Sequence, residues 1–190
     1  MSPFRDIRPL APESPEYQAT YTVRYQTSGY WDLSVREGAQ SAAFSLRLRR
    51  FSAPVEKTFD FTLAPAYFRP CEVLGIYENG VLAGLIEIHG EDWNSRMRIT
   101  ELLVFEPFRG KGLGGELLEA AKAKAKAAGC RGMVLETQSC NVAAIACYQK
   151  HGFRFIGLDA TCYTNDDIGK REIRLEMGLE FPEKEGKETC

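Results

Sequence analysis

A glycine-rich turn between a strand and a helix constrains the fold of this chain more than any other segment. The apolar run Ile99–Phe105 predicts a strand, and the amphipathic pattern that begins at Leu113 predicts a helix. Glycines recur through Gly110–Gly115, where the helix starts. Such a turn directs several backbone N–H groups at one place, and the helix dipole adds positive potential there. Arg109 and Lys111 add full charges, so the segment predicts an anion site suited to the phosphates of a cofactor.

Length and composition indicate one globular domain over residues 1–180, followed by a charged tail over residues 181–190 that we expect to be disordered. The chain has 190 residues, of which 44% are hydrophobic and 26% are charged, which is ordinary for a globular protein. The net charge of −2 gives the molecule as a whole no electrostatic attraction to nucleic acid. We therefore expect no nucleic-acid partner.

The six cysteines and two histidines do not have the spacing of a metal site. No Cys-x-x-Cys pair occurs, and we expect reduced, mostly buried thiols. The segment Met1–Arg8 lacks the apolar stretch of a signal peptide, and no window of the chain is long and apolar enough to span a membrane. These features predict a cytoplasmic protein with no metal and no membrane partner.

The first half of the chain carries strand and hairpin patterns. Val73–His89 contains two apolar runs around Asn79-Gly80, a pair that suits a tight hairpin turn, and Arg96–Phe105 returns as a third strand. Phe4–Leu10 is predicted to be an edge strand, and Ala43–Phe51 alternates apolar and basic residues like a half-exposed strand. Residues 12–45 otherwise give no clear prediction.

The second half changes to helices alternating with short strands. A helix is predicted over Leu113–Ala128 and a buried strand over residues 132–137, so the helix would cross between parallel strands. Asn141 is predicted to cap a second helix over residues 142–151, and further strands follow at residues 153–157 and 172–179. The fold class is therefore mixed α+β, with a mostly antiparallel sheet that contains a parallel pair and is flanked by helices.

Several interpretations of the glycine turn compete. Gly110, Gly112 and Gly115 match the dinucleotide pattern G-x-G-x-x-G, and Glu136 lies where such a fold places its ribose-binding acid. Against this, four residues separate the strand from the first glycine, and a second βαβαβ half is missing. A nucleotide-triphosphatase loop would need Gly-Lys-Ser/Thr, but Gly114-Gly115-Glu116 stands there. A turn without any ligand remains an alternative.

Two segments resemble the GNAT acetyltransferase superfamily. Residues Arg109–Gly114 satisfy its central motif, [RQ]-x-x-G-x-[GA], and Asn141-x-x-Ala144-x-x-x-Tyr148-x-x-x-Gly152-Phe153 agrees with a later motif. The resemblance covers about residues 72–180. Within the superfamily, Glu91–Asn94, Leu135–Gln138 and Asn141–Ala144 resemble streptothricin acetyltransferases, which acylate an amine of the β-lysine portion of these antibiotics. One departure is Thr100-Glu101, where that family usually has two adjacent acids.

The resemblance implies the GNAT fold, with the parallel strand pair splayed around acetyl-CoA. The turn would hold the pyrophosphate through backbone N–H groups, and the strand before it would pair with the pantetheine arm. The residues that the resemblance assigns to acetyl-CoA are Leu102, Leu103, Val104, Arg109, Gly110, Lys111, Gly112, Leu113, Gly114, Gly115, Asn141, Ala144 and Tyr148.

The chemistry implied is acetyl transfer to a primary amine, with a small amine as the second partner. Glu101 is the first candidate for the base, and Glu136 is the second or would hold the cation of the acceptor. Tyr148 is the candidate acid for the leaving thiolate. Alternatively, Glu101 pairs with Arg98 and Tyr148 is a packed helix residue. The acceptor could instead be a protein N-terminus or lysine, or the protein could be a non-catalytic acyl-CoA sensor, and the sequence leaves a homodimer open.

Overall fold

The computed structural model describes residues 4–182, so most of the predicted tail lies outside the described residues. In chain order, the strands are β1 (Arg5–Pro9), β2 (Thr20–Gly38), β3 (Ser41–Thr62), β4 (Cys71–Glu78), β5 (Val81–Glu91), β6 (Arg96–Val104), β7 (Gly132–Gln138), β8 (Arg154–Asp159) and β9 (Arg174–Glu180). The α-helices are α1 (Pro15–Gln18), α2 (Leu113–Ala127), α3 (Val142–Lys150) and α4 (Asp167–Lys170). Short 3-10 helices span Ala66–Phe68 and Glu106–Phe108.

The chain divides into two compact units. Within the described residues, the first unit comprises residues 4–20, 62–135 and 178–182, and the second comprises residues 21–61 and 136–177. Strands β7 and β9 are each divided, with one end in the first unit and the other end in the second. The extent of the domain predicted from the sequence stays a prediction.

The first unit is a sheet with the strand order β1-β4-β5-β6-β7. The pairs β1-β4, β4-β5 and β5-β6 are antiparallel, and β6 and β7 run parallel in the register Arg96↔Gly132 to Ile99↔Leu135. The predicted hairpin is present, with left-handed φ angles of 52° at Asn79 and 82° at Gly80. The parallel pair follows from the crossover helix between β6 and β7, as the sequence predicted.

Helix α2 lies over β4, β5 and β6 and supplies much of the core of the first unit. Its predicted apolar stripe is buried at Leu117, Leu118, Ala121 and Ala125, each with no exposed surface. Ala128 was expected on the same stripe but is exposed, since the helix ends one residue before it. Truncation of a leucine in this stripe to alanine would cost about 2–5 kcal/mol of unfolding free energy.

The second unit contains a long two-stranded ribbon, formed by β2 and β3. The sequence predicted a strand over Ala43–Phe51, and that segment lies within β3. Its apolar side chains are not covered by the described residues, because Phe44 is 57% exposed and Leu48 is 59% exposed. Closer to the body of the unit, Trp31 packs edge-on against Phe155 at a ring distance of 4.9 Å.

The rest of the second unit consists of α3, α4, β8 and the adjoining part of β9. Strand β9 lies between β7 and β8 in the strand order, and Ser139 N–H donates to the Ile173 carbonyl at 2.8 Å. Ile145 and Tyr148 are the buried residues of α3. The mixed α+β fold class predicted from the sequence is confirmed.

Candidate active site

The turn before α2 has a backbone that only glycine adopts readily. Gly110 has a φ angle of 76° and Gly112 has a φ angle of 87°, both in the left-handed region. A Cβ atom added at either position would meet no atom within 4 Å. The backbone conformation therefore favours glycine at these two positions. Because no side chain fills the space beside them, a ligand can approach the main chain closely.

The first turn of α2 contains backbone N–H groups that can bind a ligand. Gly112 is the N-cap and has no side chain that could accept from these groups. The N–H groups of Gly115 and Glu116 both donate to the Gly112 carbonyl, at 3.0 and 3.2 Å. A helix that begins at Leu113 leaves the N–H groups of Leu113 and Gly114 without intrahelical acceptors. The open space and these donors fit a phosphate group at this turn.

The two basic side chains of the turn bond to the protein itself. Lys111 Nζ lies 3.0 Å from Glu78 Oε1 and 5.0 Å from the centre of the Phe108 ring. Arg109 Nε donates to the carbonyl of Val104 at 3.1 Å. Both side chains thus tie the turn to the strands of the first unit as well as placing positive charge beside it.

A buried carboxylate that sequence reasoning missed supports the turn from below. Glu78 is 7% exposed, and it accepts from Lys111 and from Arg5 Nε, the latter at 3.2 Å. The hydrogen bond from Lys111, followed by that from Arg5, holds the pKa of Glu78 below its usual range although burial opposes this. Arg5 also pairs with Glu116 and donates to the Lys111 carbonyl at 3.3 Å. Strand β1 is thereby linked to the glycine turn and to the first turn of α2.

The segment before the turn is the end of β6, and it leads into the turn. Leu102, Leu103 and Val104 pair with β5, while the parallel pairing to β7 within the first unit stops at Ile99. On the β5 side, Gly84 lies so close to β6 that a Cβ atom added to Gly84 would be 2.7 Å from the carbonyl oxygen of Leu103. Pairing with β5 leaves the opposite edge of residues 102–104 as the one along which an extended cofactor arm would have to lie.

A β-bulge lies just before this segment. Ile88 pairs with Ile99, whereas Glu87 pairs with Glu101, so Thr100 is an extra residue in β6. The Thr100 hydroxyl donates to Glu87 Oε1 at 2.7 Å. Glu101, the first candidate base, is half-buried at this bulge. At the bulge, two consecutive residues of β6, Thr100 and Glu101, lie opposite the single residue Glu87 of β5.

Glu91 belongs to an ion-pair cluster, which limits its use for binding a cationic acceptor. Arg98 Nε lies 2.6 Å from Glu91 Oε1, and Arg96 Nη2 lies 3.3 Å from Oε2. Asn94 Nδ2 donates to Oε2 at 2.8 Å. Burial by itself would raise the pKa of Glu91, but these hydrogen bonds and charges outweigh it and hold the pKa below its usual range.

In the second unit, Glu136 also carries a cationic partner. Its carboxylate, 43% exposed, lies 3.3 Å from Arg174 Nη1, and the same guanidinium pairs with Glu176 at 2.9 Å. Arg174 was not among the residues that sequence reasoning selected. An arginine in a terminal strand gives no sequence signal of its distant partner.

Helix α3 carries the other candidate residues of the second unit. Asn141 caps the helix as predicted, accepting from the Ala144 N–H at 3.3 Å. Tyr148 is 8% exposed, and its ring meets Phe153 edge-on at 6.2 Å. Burial raises the pKa of the neighbouring Cys147 thiol, which disfavours a nucleophilic thiolate there.

A polar chain connects the long ribbon to the turn between β7 and α3. Tyr25 donates to Gln138 Oε1 at 2.7 Å, Gln138 donates to Glu172 Oε1 at 2.9 Å, and Lys57 Nζ lies 2.7 Å from Glu172 Oε2. Thr27 donates to the carbonyl of Cys140 at 2.7 Å. The residues that the sequence left unassigned at 20–38 thus hold the chain next to Asn141 in place.

The structure therefore brings the candidates together in two groups. In the first unit, Glu101, the strand segment 102–104 and the turn 109–115 are continuous along β6 and the start of α2. In the second unit, Glu136, Asn141, Ala144 and Tyr148 are continuous along β7 and α3. Among residues 4–182, no group of three or more His, Cys, Asp or Glu side chains has the arrangement of a metal site, and no helix is long and apolar enough to cross a membrane.

The thiols are free in the part of the chain that the structure describes. Cys71, Cys130, Cys140, Cys147 and Cys162 form no disulfide. Of the five cysteines that the structure describes, Cys140 is buried, Cys162 is exposed and the other three are half-buried, so the expectation of mostly buried thiols was wrong.

Comparison with known proteins gives a consistent result. The model of the "Acetyltransferase (GNAT) family" matches residues 17–153. A streptothricin acetyltransferase of Streptomyces lavendulae is 36% identical over 104 residues, which is 55% of this chain and 54% of that protein. The chain spans about half the length of the curated relatives that it matches.

Two solved structures match over nearly their whole length. The nourseothricin acetyltransferase structure has a TM-score of 0.76 at 25% identity and covers 94% of this chain and 99% of its own. A protein described as a streptothricin acetyltransferase of Bacillus anthracis, in complex with acetyl coenzyme A, has a TM-score of 0.74 at 21% identity, with 94% and 98% covered. The resemblance inferred from the motifs is confirmed.

Proposed function

As this chain belongs to the GNAT acetyltransferase family, we propose that it moves the acetyl group of acetyl-CoA to a primary amine. The observation that carries the proposal is the turn at Gly110 and Gly112, with its left-handed backbone, open space and helix N-terminal donors. An anion site alone would suit many cofactors. Its position directly after a strand favours a cofactor that has both a pyrophosphate and an amide-bearing arm, because such an arm can pair along the strand.

In this proposal, the chain holds the cofactor mainly through its backbone. The N–H groups of the Arg109–Gly115 turn bind the pyrophosphate, and the edge of Leu102–Val104 that faces away from β5 pairs with the pantetheine arm. A backbone N–H of Leu103 or Val104 donates to the thioester oxygen. Asn141, Ala144 and Tyr148 contribute from the second group of residues.

The proton transfers fall to side chains. An alkyl ammonium has a pKa of about 10.4 and must lose a proton before it attacks. Glu101 accepts that proton, directly or through water, and the neutral amine then attacks, so that the C–N bond forms and the C–S bond breaks. Tyr148 protonates the departing thiolate, because a phenol and a thiol have comparable proton affinities. The second proton of the amine nitrogen leaves once the C–N bond has formed and restores the phenol of Tyr148. Glu136 remains the second candidate for the base or for contact with the cation of the acceptor.

For the acceptor, we propose a small cationic amine of the kind found in streptothricin. The support is the name of the relatives together with the motifs around Glu91 and Asn141. Glu91 itself is neutralised by two arginines, so Glu101 and Glu136 are the carboxylates proposed to face such an amine. A cytoplasmic location and a homodimer stay predictions, and light scattering of the purified protein tests the second.

Thiol release with acetyl-CoA and an amine panel tests the function. The panel contains streptothricin, a polyamine, a lysine peptide and a peptide with a free N-terminus, and mass spectrometry locates the added acetyl group. Acetylated streptothricin is the expected product. If only the peptides are acetylated, the acceptor is a protein amine and the proposed small cationic amine is wrong. Binding of acetyl-CoA without turnover on any amine would make the protein a sensor.

The Glu101→Gln variant tests the base in the same assay. The expected result is a rate profile displaced to higher pH, since more of the amine must then lose its proton without help. An unchanged profile would remove Glu101 as the base.

A further inference from the structure

Glu87 is a fully buried carboxylate that the proposed chemistry does not use. It lies in the middle of β5 with no exposed surface. Its two oxygens accept from the Ala64 N–H at 2.5 Å and from the Thr100 hydroxyl at 2.7 Å. No ion-pair partner of Glu87 occurs among residues 4–182. Burying a carboxylate with neutral donors only is costly, and this cost indicates a specific role for Glu87.

The strand register places Glu87 next to the candidate base. Glu87 pairs with Glu101, and the extra residue of the bulge, Thr100, bonds to Glu87 as well. Residues directly opposite in antiparallel strands point to the same face of a sheet, with Cβ atoms roughly 4.5–5.5 Å apart. Glu87 therefore faces both residues of the bulge at once.

Glu87 also fixes the chain segment that precedes β4. Ala64 is 3% exposed and has a left-handed φ angle of 50°, an unusual conformation for a residue other than glycine. Its N–H donates to Glu87, and its carbonyl accepts from Arg69 Nε at 2.9 Å. One carboxylate thus joins this segment to β5 and β6, and strain at Ala64 is offset by those bonds.

Other titratable groups surround Glu87 on several elements. From α1 and β4, Tyr17 and Cys71 contact each other at 3.9 Å, and the pKa of the Cys71 thiol is raised by burial first and then by the charge of Glu87. Burial raises the pKa of both the Tyr17 hydroxyl and the Cys71 thiol, and the positive charge of Arg69 opposes that rise in both. On the same face of β5 and β6, His89 contacts the Pro70 carbonyl, while Glu91 and Arg98 pair with each other, and Glu101 lies opposite Glu87.

We propose that Glu87 is a positioning residue for acetyl transfer: its carboxylate holds the bulge at Thr100–Glu101 in place and keeps a negative charge opposite the base. The proposal rests on the proposed function. A fixed bulge sets the direction of the Glu101 carboxyl. The nearby like charge favours the form of Glu101 that has accepted a proton, which is the task of a base.

The variant Glu87→Gln separates this role from simple packing. The amide can still accept from the Ala64 N–H and donate to the Thr100 hydroxyl, so the fold is expected to persist. We expect kcat to fall roughly tenfold, and the acidic limb of the pH–rate profile to move to lower pH by roughly 0.5–1 unit, with the Kd of acetyl-CoA unchanged. The control is Asp167→Asn, which alters another buried carboxylate, and there the limb should stay in place.

If the acidic limb of the pH–rate profile does not move in Glu87→Gln, the proposal is overturned. A second pair of variants gives an answer even if Glu87→Gln does not fold. Thr100→Val removes the hydroxyl and should lower kcat, whereas Thr100→Ser keeps the hydroxyl and should retain it. Equal rates for these two variants would also contradict the proposed role.

A measurement without turnover keeps this proposal distinct from the proposed function. Carbon-13 NMR titration of the Glu101 carboxyl, assigned with Glu101→Gln, should show a midpoint that is lower in Glu87→Gln than in the wild type. An unmoved midpoint in an active enzyme would refute the role of Glu87 alone. A moved midpoint in a protein that acetylates no amine would support the coupling of the two carboxyls and refute the proposed function.

Discussion

Gly112→Ala is the sharpest test of the turn, because its cost to folding can be worked out from the backbone. Gly112 has a φ angle of 87°, and an alanine held in a left-handed conformation costs about 1–2 kcal/mol. A Cβ at this position would meet no atom within 4 Å, so no clash adds to that cost. The unfolding free energy should therefore drop by about 1–2 kcal/mol, which leaves most small domains folded.

Binding of coenzyme A should suffer more than folding does. The added methyl group occupies the space beside the backbone donors, and one charge-assisted hydrogen bond to a phosphate is worth about 1.5–3 kcal/mol. We therefore expect the Kd for coenzyme A, measured by isothermal titration calorimetry, to rise roughly 10- to 150-fold.

Gly80→Ala is the matched control for this measurement. Gly80 has a φ angle of 82°, and an added Cβ there also meets nothing within 4 Å, but it lies in the β4–β5 hairpin. Urea unfolding should give similar losses for both variants, whereas the Kd should change in Gly112→Ala only. Equal affinity in the two variants would refute the reasoning that the turn is the phosphate site.

Two further predictions concern the second unit and the stability of the first. Tyr148→Phe should lower kcat by roughly 100-fold and leave the Kd of acetyl-CoA unchanged, because it removes the proposed acid and keeps the ring; an unchanged kcat would exclude that acid. Glu91→Gln should cost about 1–3 kcal/mol of unfolding free energy at pH 7, since Arg96 and Arg98 lose their carboxylate. Because the pKa of Glu91 is lowered in the folded state, its stabilisation is present above the unfolded pKa of about 4.3 and is lost as the pH falls through the folded pKa. Chemical denaturation should therefore show that the difference in unfolding free energy between Glu91→Gln and the wild type becomes smaller below about pH 4. A difference that stays constant with pH would contradict this.

Local patterns predicted the elements that local physics determines. The hairpin at Asn79-Gly80, the helix that begins at Leu113 and the Asn141 cap follow from turn propensity, apolar spacing and a capping side chain, all of which act over a few residues. The parallel strand pair followed from the crossover rule. The motifs then identified the family, since they specify backbone geometry as well as side chains.

Contacts between distant segments could not be predicted in the same way. Arg5 and Glu78 bond across 73 positions, and Tyr25 and Gln138 bond across 113 positions. Neither pair has a periodicity or a spacing that a single sequence exposes. The bulge at Thr100 is similar, because an extra residue in one strand can be recognised only when its partner strand is aligned with it.

The ribbon of β2 and β3 has a consequence for the order of events during synthesis. Its strands end at Thr62, but the second unit also needs residues 136–177, which the ribosome adds about a hundred residues later. At 5–20 residues per second, the ribbon waits for roughly 5–25 s, and until Phe155 is made Trp31 lacks the ring that it packs against. An isolated two-stranded hairpin is marginal in water, so this interval is when the nascent chain is most open to chaperones or to association with a neighbouring chain.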